Sequence, residues 1–397
     1  MIASLRQAFN ERWTEPQYRD VIARLELRTG ATLGFPISET PCFLPRSLMA
    51  SLSAIGLDLV AQILGSAEIL SAADAAMPER YRSATAESIP TFLQVDFGLV
   101  RAADGSLQPK LVELQAFASL YGFQLAMAEA YRDAFRLPGT LTPFLDNLDA
   151  ASYHALLASA IVGDHDPHEV VLMEIEPHRQ KTWPDFIVTE QMWGVRAVDT
   201  GEVLREGRRL YYRRDGRLTQ IRRIYNRVIP DELERKRIQL SFGYGDPVEV
   251  EWAGHPAWYF RVSKFAIPFL RHACVPETRF LDGIDALPAD RDRYLLKPLF
   301  SFAGAGIMFA PTDAQIAAIP ARERRNYILQ ERVNFTPVID TPEGPTQVEI
   351  RMMYVRDGSR LRPVLPLLRM GRGRMMGVDH NKGLRWVGAS AGLIAKD

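Results

Sequence analysis

Cysteine is nearly absent from this 397-residue chain: Cys42 and Cys274 stand far apart, in neither a CxxC nor a zinc-ligand spacing. That excludes a disulfide framework and makes a reducing, cytoplasmic setting the expectation. An excess of charge of either sign is also lacking. Lysine plus arginine and aspartate plus glutamate both number 48, which removes the electrostatic case for nucleic acid or for a polybasic membrane anchor. Long apolar runs are missing too. The most apolar window, residues 49–77, is interrupted by Asp58, Gln62, Glu68 and Asp74, and the opening MIASLRQAFNERW has no apolar stretch behind a basic one. Neither a spanning helix nor a targeting segment is expected. Internal repeats and low-complexity tracts are likewise wanting.

What is present is a chain 47% hydrophobic, long enough for two or three ordinary cores at roughly 150 residues each. Residues 1–90 read mostly as amphipathic helix punctuated by proline and glycine, and a helical run recurs over residues 121–135. From about residue 164, HEVVLMEIEP, RQKTWPDFIVTEQMWGV and RAVDTGEVL read as strand, helix and strand, a βαβ unit within an open α/β layer. Beyond Ser263 helix and strand alternate to the end.

Two hairpins stand out. In QVDFGLVRAADGSLQPKLVELQAF, residues 94–117, side chains alternate about Asp104-Gly105, a dipeptide suited to a two-residue type I′ turn. Such a loop places Asp96 opposite Glu113 and Gln94 opposite Gln115, with Gly98 leaving room on the same face. Val95, Phe97 and Leu99, with Val112 and Leu114, turn the other face to a core. Opposed carboxylates repel; either they point to water, or a hard divalent cation between them takes their oxygens as ligands. The second hairpin, RRLYYRRDGRLTQIRRIYNRV, turns at Asp215-Gly216 and opposes Arg209 to Arg222 and Arg214 to Arg217. Glu202, Glu206, Asp231, Glu232 and Glu234 lie near enough in sequence to neutralise them, so a solvated, locally paired hairpin is expected, with an anionic substrate contact as the alternative. Arg227, just beyond it, is the arginine to watch. His165, His168 and His178 bracket an apolar strand without any cysteine, and no metal is expected there. Asp379-His380-Asn381 reads first as turn chemistry.

The most specific stretch is YLLKPLFSFAGAGIMF, residues 294–309: a strand carrying Lys297, a loop with Gly304 and Gly306, and a second apolar run. Small residues let backbone N–H groups approach phosphate oxygens, and a flanking lysine adds fixed charge; a plain strand-to-strand turn is the bland alternative. No GK[ST] closes the loop, so it is not a Walker loop. Upstream, RVSKFAIPFLRHACVPETRFL sets Lys264 at the start of a helix ending near Val275-Pro276, and downstream YILQERV is a strand ending in a polar pair, suited to reading adenine through its main chain. In VEIRMMYV, Glu349 and Arg351 alternate outward; Arg372 and Arg374 lie in GRGRMMG, where a guanidinium could face an oxyanion.

Lys264 with its VPET, the Lys297-Pro298 glycine loop and the Gln330-Glu331 strand, in that order, are similar to the ATP-grasp superfamily. The triplet ELQ, residues 113–115, resembles the Glu-x-Asn that precedes the nucleotide lysines in its circularly permuted group, typified by the synthetase domain of glutathionylspermidine synthetase. The similarity spans residues 90–335. It implies an α/β (α+β) architecture, a permuted ATP-grasp fold with an inserted open α/β domain: a helical segment plus metal-binding hairpin over 1–160, the insert over 161–260 and the nucleotide-binding subdomains over 261–397.

The resemblance also implies roles. ATP phosphates fall to Lys264, Lys297 and the loop residues Ser301, Gly304 and Gly306; adenine to the strand end at Gln330, Glu331 and Val333; Mg²⁺ to Asp96, Glu113 and Gln115; and the tetrahedral intermediate to Arg227, Arg351 or Arg372. The implied activity is ATP- and Mg²⁺-dependent ligation of a small-molecule or peptide carboxylate to an amine through an acyl phosphate, without nucleic acid or membrane. Nothing resembles the amidase domain of bifunctional relatives, since the upstream 90 residues are short and hold only Cys42. One departure matters: Gln115 stands where the family has asparagine, one methylene longer. That residue favours the rival function, a nucleotide-binding protein without ligase turnover in regulation or assembly.

Overall fold

The computed structural model describes residues 1–83, 87–301, 304–377, 380–381 and 383–395. The chain opens with helices α1 (Ala3–Arg12) and α2 (Glu15–Thr29), strand β1 (Cys42–Leu44), and helices α3 (Arg46–Leu64) and α4 (Ala67–Ala76). Helix α2 takes Pro16 in its first turn, where an N–H has no partner to lose, and stops at Gly30, whose φ of 61° returns its N–H to the Glu26 carbonyl. By length and composition α3 could cross a membrane; here Met49, Leu52, Leu59, Val60 and Ile63 are buried against a sheet.

The first hairpin, β2 (Phe92–Arg101) and β3 (Leu107–Gln115), leads to α5 (Tyr121–Ala134), β4 (Leu141–Thr142) and α6 (Ala150–Ile161). Then come β5 (Val170–Glu174), α7 (Trp183–Trp193), β6 (Arg196–Asp199), the arginine-rich β7 (Leu204–Glu206), β8 (Arg209–Arg214) and β9 (Arg217–Ile221), and β10 (Arg223–Asn226) and β11 (Glu251–Ala253). The remainder supplies β12 (Thr278–Phe280), β13 (Tyr294–Pro298), β14 (Met308–Phe309), β15 (Tyr327–Glu331), β16 (Ile339–Thr341), β17 (Gly344–Asp357), β18 (Arg360–Gly371) and β19 (Gly388–Ala395).

These strands form a mixed α+β architecture of several sheets. The largest runs β1-β19-β18-β17-β2-β3, with β16 on β17 and β4 on β19. Its period-2 alternation divides the side chains cleanly. Val95, Phe97 and Leu99 of β2, Ile350, Met352 and Tyr354 of β17, and Leu368 and Met370 of β18 pack on one face with α3. Helix α5 covers part of the opposite face: the Tyr121 hydroxyl donates to the Leu93 and Tyr354 carbonyls, and the Gln124 amide to those of Pro366 and Ser390. It is buried nearly all round, as a helix wedged between layers must be.

The expected βαβ unit is present. β5 and β6 are parallel neighbours joined by α7, in a four-stranded parallel sheet ordered β11-β10-β5-β6. A third sheet, β12-β15-β13-β14, is antiparallel where its strands pair. The division expected at residue 261 does not follow the sheets. Strands β16 to β19 join the 92–115 hairpin, and only residues 278–331 form the separate sheet. The hairpin alone would leave the inner edge of β2 with unpaired backbone groups in the interior; β17 supplies their partners.

The hairpin's register differs in a way that cancels. Its loop covers residues 102–106, with Ala102 N–H donating to Ser106 and Gly105 N–H to Ala102, and φ is positive at Gly105 (84°) but not at Asp104. Pairing therefore starts one residue off, with Arg101 opposite Leu107 and Phe97 opposite Leu111. A β-bulge at Val112 then restores it, leaving Asp96 opposite Glu113 and Gln94 opposite Gln115 as the alternation predicts. At the second hairpin Asp215 (φ 51°) and Gly216 (φ 80°) form the expected turn, with Arg214 opposite Arg217. Two of its arginines are paired, though with acids distant in sequence rather than the near ones expected: Arg209 with Glu249 and Arg222 with Glu169.

Candidate functional site

The site lies on the face of the large sheet away from α3, where the register sets ionic side chains on adjacent strands side by side. Arg351 of β17 pairs with Asp96 of β2, and Glu349 pairs with Arg369 of β18. Arg351 grips Asp96 in two-pronged fashion, Nε to Oδ1 at 2.6 Å and Nη2 to Oδ2 at 2.7 Å, while its Nη1 donates to Gln94 Oε1 at 2.9 Å. Arg369 bonds the same Asp96 Oδ2 and forms an ion pair with Glu349. Asp96 is 2% exposed. Burial pushes its carboxyl up, but the two guanidinium groups outweigh burial and hold it below the usual range. For Glu349 burial wins, reinforced by Asp96 nearby, and the pKa rises despite Arg369.

Two lysines close the site from other elements. Residues 262–274 run along the free edge of β3, with Ala116 N–H donating to Val262 and Leu111 N–H to Cys274. This brings Lys264 to Glu113, Nζ to Oε1 at 2.9 Å, and to the Ser301 carbonyl at 2.7 Å. Burial is the largest influence on the Glu113 carboxyl and raises its pKa, but Lys264 and Lys297 together bring about a net fall. The helix expected after Lys264 is a single 3₁₀ segment, Lys264–Phe269, interrupted at Pro268. Lys297, on β13, donates to Gln330 Oε1 at 2.6 Å and to the carbonyl of the bulged Val112 at 3.3 Å. A bulge leaves a residue out of the ladder, and here the freed carbonyl receives the lysine. Burial, to 5% exposure, brings the Lys297 pKa down to about 8.

The glycine loop is a hairpin between β13 and β14. Gly304 and Gly306 both have positive φ, and a Cβ at Gly304 would lie 2.5 Å from Met375 Cε. Residues 302 and 303 lie outside the described residues.

Several expected roles require correction. Residues 330–332 are not an open edge for adenine, and Val333 lies beyond the end of β15. β15 lies between β12 and β13, Gln330 pairs with both Thr278 and Leu295, and the N–H groups of Glu331 and Arg332 donate to Glu277 and Arg293. An interior strand has no main-chain groups to spare. Val333 packs beside Gly98, so the room expected there is filled by Val333 and Phe335. Arg227 is 2% exposed and bonded to Asp185 Oδ2 at 2.6 Å, under the rings of Phe186 and Phe117. It anchors the parallel sheet rather than facing the cluster. Arg372 spends its guanidinium on Thr346 Oγ1 and the Arg385 carbonyl. Asn381 accepts from the Arg372 and Gly373 N–H groups, the turn role expected of it; Asp379 lies outside the described residues.

The residues set aside for Mg²⁺ do not fit the ion as arranged. Both Asp96 oxygens are taken by guanidinium groups, one Glu113 oxygen by Lys264, and the Gln115 amide donates its Nε2 hydrogen to Gln94 Oε1 at 2.7 Å. Mg²⁺ demands several oxygens in near-octahedral array; among the described residues no group of three His, Cys, Asp or Glu side chains could hold a metal ion. Sequence reasoning missed Arg369 altogether. Its signal was a lone cation inside the apolar run PVLPLLRMG, but its partner Glu349 emerges only from the β17–β18 register.

No family model and no curated protein matches the sequence. Among solved structures the chain is similar to the apo form of a glutathione synthetase-like effector from Globodera pallida, with a TM-score of 0.51, 12% identity, and coverage of 98% of this chain and 97% of that one. The protein therefore has a glutathione synthetase-like fold, and the likeness at this identity concerns the fold alone.

Proposed function

We propose that this protein binds a nucleoside triphosphate, with ATP as the expected one, by holding its phosphates between Lys264 and Lys297 in an ATP-grasp-like cleft. One observation carries the reading: two buried ammonium groups, on separate elements, converge on Glu113 and Gln330 beside the Gly304 and Gly306 turn. Keeping a lysine 5% exposed with its pKa lowered costs stability, and such a cost is repaid when an anion arrives. The commitment of Asp96 to arginines favours binding without turnover. ATP titration calorimetry tests the reading: Lys297→Ala is expected to weaken binding roughly ten- to a hundred-fold, the value of one charge-assisted contact. Equal affinity for both proteins overturns it.

Carboxylate–amine ligation through an acyl phosphate is the second reading, and Glu113 is the observation that favours it. Its side chain is 32% exposed and Lys264 holds only Oε1, so one oxygen of the ELQ triplet stays open to the cleft. ADP release in the presence of pooled acids and amines, abolished in Glu113→Ala, is the result this reading requires.

A further inference from the structure

We infer that the acidic cluster of Asp96, Glu113 and Glu349 is closed to divalent cations, and that Arg351 and Arg369 supply the positive charge of this cleft in a metal's place. The inference deepens the phosphate-binding reading above and rests on it for the identity of the ligand. Its own ground is the geometry. A two-pronged guanidinium–carboxylate pair matches both Asp96 oxygens, and the strand register pins Arg351 opposite Asp96, so the contact follows from the backbone. Arg369 extends the same charge to Glu349. An entering cation would have to displace two guanidinium groups that cannot shed their protons, from positions flanked by Lys264 and Lys297. Four bases thus surround three acids, and the balance favours a multivalent anion over a metal ion.

Two measurements on the full chain separate this inference from the reading it rests on. The first uses no nucleotide. Mn²⁺, which takes the same oxygen ligands as Mg²⁺, is titrated into the wild type and the signal of free Mn²⁺ is followed by electron paramagnetic resonance. No uptake is expected up to about 1 mM, the weak end of protein cation sites, whereas stoichiometric uptake at micromolar Mn²⁺ overturns the inference. Arg351→Gln combined with Arg369→Gln, which frees both Asp96 oxygens, is expected to gain one Mn²⁺ per chain while keeping the wild-type near-ultraviolet circular dichroism. A folded double variant that still takes up none shows that the arginines are not what closes the cluster. The second measurement is ATP binding in EDTA and in excess Mg²⁺. Affinities within about threefold of each other support the inference, and a loss of tenfold or more in EDTA overturns it. Failure to bind ATP in either condition overturns the phosphate-binding reading instead, and the Mn²⁺ titration then decides the inference alone.

Discussion

Lys297 and Glu174 show how one environment acts in opposite directions on a base and an acid. For Lys297, burial lowers the pKa from 10.5 to about 8. Below that value folded and unfolded chains both carry the proton and the burial cost is felt in full. Between there and 10.5 the folded chain sheds the proton first, so the cost lifts as pH rises. Comparing wild type with Lys297→Met by urea denaturation, the variant's relative stability is expected to drop by about 1–3 kcal/mol from pH 7.5 to pH 10. ATP affinity of the wild type is expected to fall about tenfold over the same range; a flat profile in both measurements contradicts the assignment. For Glu174, at the end of β5, burial raises the pKa from 4.5 to about 8. The folded chain keeps a proton that the unfolded chain loses, so stability declines as pH climbs from 4.5 to 8. Glu174→Gln, whose amide oxygen can still accept from the Ile175 N–H, is expected to be silent at pH 4 and to stabilise by about 2–4 kcal/mol at pH 8. Equal melting shifts at both pH values contradict it.

The first hairpin shows what alternation conveys about an element and what it omits. Apolar and polar residues alternating along 92–101 specify which side chains share a face, and Asp96 does stand opposite Glu113. The five-residue loop and the compensating bulge at Val112 were not legible, because the extra residue is placed by contacts from outside the hairpin, Lys297 and the 262–274 segment among them. Gly98 belongs to the same scale. A Cβ there would come within 2.8 Å of both Val333 Cγ1 and Phe335 Cε1, so its lack of a side chain lets the segment after β15 lie flat on the sheet. Gly98→Ala is expected to cost about 1–3 kcal/mol, the usual penalty of overpacking. Denaturation midpoints equal to wild type would show that this segment has slack.

Across the whole molecule, Arg227 and Asp185 tie the parallel sheet to the helices over the large sheet. The Asp185 carboxylate takes Arg227 from the end of β10, and at its own helix start accepts from the Leu120 and Phe123 N–H groups that open α5. At 2% and 1% exposure, removing one partner strands a buried charge. Arg227→Met is expected to destabilise by about 3–5 kcal/mol while leaving the ATP affinity of the folded fraction unchanged. A stable variant with lost binding would return Arg227 to the site. Periodicity and turn chemistry by themselves determined the βαβ unit, both hairpins and the core faces of the strands, because these depend on neighbours a few residues apart in the chain. Only the tertiary structure decided that β17 lies beside β2 with β18 next beyond it, and with that register came Arg351 and Arg369 against Asp96. Whether opposed carboxylates hold a cation or a guanidinium depends on which strand lies beside them, and strands more than two hundred residues apart are brought together by burial of their shared apolar face, which no local pattern encodes.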